Sequence, residues 1–155
     1  MGADERAPSS ATRALAGALR LSGGPAPADR LPLLLGALST PGPSPTTVES
    51  GPCALAWCGE GGEHEGLIAA ADGRPLGHGR SGPPALARAI RSGGPQEAGR
   101  LAGQFAGVVW DPAEQRLVLV RDAGPTRSLF YAEDGGVLLW ASELRALHAA
   151  LSRPA

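Results

Sequence analysis

The sequence predicts an α+β domain built on antiparallel sheets, and three observations carry that expectation. The last third of the chain holds two strand–turn–strand units. Gln104 to Trp110 (QFAGVVW) precedes Arg116 to Arg121 (RLVLVR), and Ser128 to Ala132 (SLFYA) precedes Val137 to Ala141 (VLLWA). The helical segments are short and flank the strands instead of alternating with them. The longest apolar runs, such as Leu33-Leu34-Leu35 and Leu117 to Val120, are core-sized and far below the roughly 20 residues of a membrane span.

Each element has its own local signal. Residues 1–12 read as a disordered lead-in, the domain as 13–151, and 152–155 as a tail. Ala14 to Leu21 (ALAGALRL) fits a short buried strand or a weak helix, because periodicity does not separate the two in a short apolar run. Asp29 is placed to cap a helix from about Arg30 to Leu38, with Pro32 tolerated in its first turn. Residues 39–52, rich in Pro, Ser, Thr and Gly, read as loop. Cys53 to Trp57 is a strand, broken by Gly59 to Glu65. Gly66 to Ala71 is another, ended by the hairpin signal Asp72-Gly73. Pro84 to Ser92 is a helix stopped by Gly93-Gly94. Asp111 to Gln115 turns the first late hairpin, across which Phe105, Val109, Leu117 and Leu119 are expected to alternate inward. Asp134-Gly135-Gly136 turns the second. Ser142 is placed to cap a closing helix from about Glu143 to Leu151, with the Glu143 charge favoured at its start.

Composition excludes several classes of function. The 155 residues suffice for one domain with a core, and 43% of them are hydrophobic. A net charge of -1 offers no basic surface for nucleic acid or an anionic membrane. The 23 Gly and 15 Pro point to loop content. Cys53 and Cys58 make no disulfide framework, and five residues apart on one strand they face opposite sides. Met1 to Ser10 is polar and lacks the apolar core of a signal peptide, so a cytoplasmic protein is expected. Phosphate-binding, dinucleotide-binding and zinc-protease motifs are missing from the sequence. His64, His78 and His148 are scattered, and neither a metal nor a cofactor is expected.

Leu101 to Leu147 carries a family resemblance. The conspicuous residues are Leu101, Gly103, Phe105, Ala106, Trp110 and Asp111, then Arg121-Asp122. Arg127, Leu129, Phe130 and Tyr131 follow, and last come Ala141-Ser142-Glu143 with Ala146-Leu147. In order and spacing these blocks resemble the second half of the glutaminase domain of asparagine synthetases, a class II glutamine amidotransferase with an N-terminal nucleophile. The resemblance implies a layered αββα sandwich of two antiparallel sheets with flanking helices. Weaker similarity runs backwards. Leu15-Ala16-Gly17 resembles the family's first strand, and Gly36-Ala37-Leu38 with Pro41-Gly42-Pro43 resembles a helix end and the turn after it. Ala54-Leu55-Ala56 and Asp72-Gly73-Arg74 resemble two further family segments.

The same resemblance implies that the catalytic residues are gone. The family's cysteine thiolate attacks the glutamine amide while its own α-amine assists proton transfer. Arg13 stands at that position, with Thr12 before it. The arginine that would hold the substrate carboxylate falls at Trp57, Cys58 and Gly59. The oxyanion-stabilising asparagine falls at Asp72, whose charge opposes an oxyanion. The acidic residue for the substrate amine falls at Gly82 or Pro83. Arg13, Trp57, Cys58, Asp72 and Arg74 would then line a vestigial pocket. Phe105, Trp110, Asp111, Arg121, Asp122, Arg127, Tyr131, Ser142 and Glu143 would be structural. Cys53 could replace the nucleophile only if cleavage exposed it, which would discard the first strand and helix. The pyrophosphate loop of the family's ATP-binding half is also missing, since Ser22-Gly23-Gly24-Pro25 and Ser92-Gly93-Gly94-Pro95 lack its Asp-Ser.

Three functions follow as expectations. The first is a catalytically inactive, stand-alone amidotransferase-like domain that partners a separate asparagine synthetase-like amide ligase in specialised metabolism. Its docking surface would be apolar and include Trp57 or Trp140, although core burial is favoured for Trp110 and Trp140. The second is a module that binds a small ligand or peptide. The third is an active amidotransferase. A homodimer is compatible with each.

Overall fold

The computed structural model describes residues 13–39, 44–124 and 127–152. In chain order the elements are β1 (Ala14–Arg20), α1 (Leu31–Gly36), β2 (Thr46–Ser50), β3 (Cys53–Cys58), β4 (Glu60–His64), β5 (Leu67–Gly73), β6 (Leu76–Gly77) and β7 (Arg80–Ser81). There follow α2 (Pro83–Gly93), α3 (Pro95–Gly99), β8 (Phe105–Asp111), β9 (Arg116–Arg121), β10 (Phe130–Asp134), β11 (Val137–Ala141) and α4 (Leu144–Ala150). One sheet has the order β10-β11-β1-β3-β2 and a second the order β4-β5-β8-β9. All their pairings are antiparallel. No helix among the described residues is long and apolar enough to cross a membrane.

Two-sided burial of both sheets produces the layers. Leu34 of α1 and Leu147 of α4 pack with Ala16, Ala54 and Leu139 on the outer face of the first sheet. Leu86 and Ile90 of α2 pack with Leu67, Phe105 and Val109 on the outer face of the second. Between the sheets lie Leu15, Leu55, Trp57, Val108, Trp110 and Trp140. The order is helices, sheet, sheet, helices, the sandwich expected from the resemblance. Burying each such leucine or valine contributes about 1.5–3 kcal/mol.

The ambiguous segment Ala14 to Leu21 is a strand because its small side chains let it lie between two others. Gly17 faces Trp140 on β11, and a Cβ there would clash with the indole ring. Both late hairpins form, with turns at Pro112 to Gln115 and at Gly135-Gly136.

Several local expectations are corrected. Residues 39–52 include β2, which pairs with β3, and the break at Gly59 to Glu65 contains β4, which pairs with β5. Both are polar edge strands whose order comes from a neighbour, so no apolar alternation marks them. Asp72-Gly73 does not turn a hairpin: both residues continue β5, opposite Ala106 and Phe105. Arg30, not Asp29, occupies the N-cap of α1, without a side-chain cap. Glu143 occupies that of α4, also without one. Ser142 instead accepts a hydrogen bond from Leu15 N at 2.8 Å, tying β1 to the end of β11. Glu143 accepts from Ser39 N at 3.0 and 3.1 Å, so its charge holds the chain after α1. Phe105 and Val109 face the helices, while Leu117 and Leu119 face the first sheet. Directly opposed residues share a face, and Leu117 and Leu119 oppose Trp110 and Val108.

The lead-in 1–12 and the turn at Pro41-Gly42-Pro43 lie outside the described residues. Of the tail, Ser152 is described and anchored: its N donates to Asp134 Oδ2 at 2.7 Å.

Candidate functional site

The site grows from the start of β1 and the end of β5. Arg13 directly precedes β1, and Ala14 opposes Cys58 on β3. This places Arg13 beside the Cys58-Gly59 step. The missing side chain of Gly59 leaves room for the arginine stem, since a Cβ there would stand 3.0 Å from Arg13 Cγ. The guanidinium reaches the second sheet, where Arg13 Nη1 donates to Gly73 O at 3.2 Å.

Asp72 sits one residue away, 7% exposed. Arg127 Nη1 stands 3.4 Å from its Oδ1. Burial pushes the Asp72 carboxyl above its ordinary range, while the charges of Arg127 and Arg13 pull it down. The net direction is upward, so desolvation outweighs both arginines. Arg127 Nε is buried and has no partner among the described residues.

A cleft of about 370 Å³ opens beside this cluster, lined by Glu60, His64, Arg74, Ser81, Pro83 and Pro84. Arg74 Nη2 meets Glu60 Oε2 at 3.4 Å within this lining. Glu60 also stands over the start of α2, where a Cβ on Gly82 would come 2.9 Å from its Oε1. An acid from β4 therefore occupies the neighbourhood in which Gly82 and Pro83 had indicated only the loss of one. Pro83 and Pro84 carry no N–H, which removes two donors a helix start would otherwise offer an anion.

Arg13 and Asp72 are thus brought together, and Arg74 lies on the adjoining cleft. Cys58 is not with them: it shares the phase of Ala54 and Ala56, which face the helices, so its side chain is directed away from the second sheet. Trp57 is not in the pocket. It is 5% exposed and packs between the sheets, over Gly61, whose missing Cβ leaves room for the indole. Trp140 and Trp110 are fully buried, so neither Trp57 nor Trp140 forms a docking surface. Arg127 was expected to be structural, yet it is the partner of Asp72; only its charge and its place in a loop hinted at that. Glu60 gave no sequence signal.

The other residues assigned to structure keep local roles. Asp111 is 3% exposed, and its Oδ1 accepts from Ala113 N and Glu114 N, closing the β8–β9 turn. Asp122 Oδ1 accepts from Phe105 N and its Oδ2 from Gly124 N. Arg121 is exposed, and Tyr131 is 69% exposed on β10. Cys53 and Cys58 are free thiols, both buried. Burial pushes the Cys53 thiol up to about 12. Among the described residues, no three His, Cys, Asp or Glu side chains converge as metal ligands.

The chain belongs to the glutamine amidotransferase domain family: the model of that domain matches residues 41–149, from ahead of β2 into α4. The matched span includes Asp72, Arg74 and Arg127 but not β1 or Arg13. No curated protein matches the chain.

Proposed function

We propose that this chain is an amidotransferase-type domain of the asparagine synthetase kind that does not hydrolyse glutamine, and that it serves as an accessory partner to a separate ATP-dependent amide-forming ligase in specialised metabolism. The observation that carries this reading is the place of Arg13. Glutamine hydrolysis needs a thiolate at the head of β1, a base beside it, and donors aimed at the oxyanion. Arg13 occupies that place with a guanidinium that has no lone pair to attack with, and its N is a peptide nitrogen. Asp72 stands where a neutral donor would be needed. Cys53 is a poor nucleophile at neutral pH, since its raised pKa keeps the thiol protonated. With no chemistry of its own, the domain would contribute binding energy that orders a ligase or shields its acyl-adenylate from water.

Ammonia release from glutamine tests the reading, measured beside a Cys53→Ala/Cys58→Ala variant. Neither protein should release ammonia. Release that disappears in the double variant would make this an enzyme and overturn the proposal. Co-purification with an adenylating ligase tests the partner role.

The Glu60–Arg74 cleft favours a second reading, a module that binds a small polar ligand. Saturable binding of a small molecule without turnover, lost in Arg74→Ala, would select it over the first.

A further inference from the structure

β9 is an edge strand with an open ladder, and its backbone phase is fixed by hydrogen bonds at the ladder's end. Asp122 N donates to Phe105 O at 3.0 Å, and these two residues extend the register in which Ala106 opposes Arg121. Directly opposed residues in an antiparallel pair alternate between hydrogen-bonded and non-bonded. Val120, Val118 and Arg116 therefore bond inward to β8. The other side of β8 agrees, because Arg74 N donates to Gln104 O and so assigns the even-numbered residues of β8 to β5. Leu117, Leu119 and Arg121 consequently direct their N–H and C=O groups away from the sheet, and no backbone partner meets them among the described residues.

The other sheet edges are less suited to a partner. β2 (TTVES) and β4 (EGGEH) are polar, and the end of β10 is tied off where Ser152 N and Arg30 Nη1 reach Asp134. β9 is apolar between Arg116 and Arg121. Leu117 and Leu119 belong to the layer between the sheets, and Val118 and Val120 to the layer under the helices.

We propose that β9 pairs with β9 of a second copy of this chain about a two-fold axis at Leu119, joining two four-stranded sheets into one. Outward groups meet only outward groups when odd-numbered residues oppose odd-numbered ones. Centred on Leu119, this sets Leu119 against Leu119, Leu117 against Arg121, and Val118 against Val120. At the centre the apolar faces match, Leu119 with Leu119 and Val118 with Val120, while each Leu117 lies against the aliphatic stem of Arg121. Arg116 falls opposite Asp122 of the other copy, a charge-complementary pair at each end. A register shifted by one residue would oppose Arg116 with Arg121, but it would also misalign every donor and acceptor. The proposal is independent of whether the domain hydrolyses glutamine.

Sedimentation of the full chain over a dilution series should give a mass that doubles at high concentration. Arg116→Asp puts like charges at both ends and should weaken the dimer about tenfold. Arg121→Pro removes an outward N–H without touching the β8 ladder and should leave a monomer, with circular dichroism unchanged in both variants. Leu119→Cys should form an intermolecular disulfide, because opposed Cα atoms in a bonded pair lie about 5.5 Å apart. Leu117→Cys should not, since its own counterpart lies four residues away along the partner strand. A monomer at every concentration overturns the proposal, as does a dimer that survives both charge and proline variants. So does a chain that dimerises only after residues 1–12 are deleted, which would make that segment the occupant of the edge.

Discussion

Arg127 Nη1 lies 3.4 Å from Asp72 Oδ1, across 55 residues of sequence, and joins the segment after β9 to the end of β5. The pair is unequal. Arg127 is 42% exposed in its side chain and Asp72 only 10%, so the carboxylate bears most of the desolvation.

That inequality fixes a pH dependence. The folded Asp72 carboxyl is raised above its ordinary value of 3.8, so the folded state holds this proton more tightly than the unfolded chain does. Its contribution to stability is fully present below about 3.8 and is lost as pH rises through the folded value. Asp72→Asn should flatten the pH dependence just above that range and not destabilise the protein at neutral pH. Urea unfolding between pH 3.5 and 7 decides it; a variant that is less stable only at neutral pH would mean the arginines dominate.

Asp134 behaves in the opposite sense. The Ser152 backbone N–H and hydroxyl, with Arg30, hold its carboxyl below the ordinary value of 3.8. Stability from this group is present above about 3.8 and is lost as pH falls through the folded value. Asp134→Asn should blunt acid unfolding below pH 4, again read by urea titration.

Gly17→Ala should destabilise the domain by about 1–3 kcal/mol, since the new methyl would occupy the place of the Trp140 ring. Trp140→Leu in the same chain should recover part of that loss. Equal costs of Gly17→Ala with and without the indole would separate the two residues energetically.

Ser142→Ala should cost about 1 kcal/mol by leaving Leu15 N unpaired. Hydrogen exchange distinguishes this tie from a helix cap: Leu15 N–H should exchange faster while the first amides of α4 stay as they were.

Cys53 should resist thiol reagents in the native state, being fully buried and held protonated. Its labelling should follow global unfolding, and rapid labelling of folded protein would contradict its place between the sheets.

The sequence was most legible where a strand and its neighbour are adjacent in the chain. β8 with β9 and β10 with β11 announce themselves by apolar runs around short polar turns. β2 and β4 do not, because their side chains are Thr, Ser, Glu, Gly and His and their order is borrowed from β3 and β5. Asp72-Gly73 carried the local signature of a turn, yet pairing with β8 keeps both residues extended. Arg13 and Asp72 were placed together by resemblance alone. Arg127 and Glu60 reach the site from distant segments, and no spacing within the chain could show that.

The position of β1 has a consequence for biosynthesis. It is the central strand of its sheet, yet its neighbour β11 is made long after it: Ala16 opposes Ala141. A nascent chain therefore carries β1 with one flank unsatisfied until β11 has left the ribosome. The second sheet, whose strands lie between residues 60 and 121, can close first and act as the template on which the first and last strands meet.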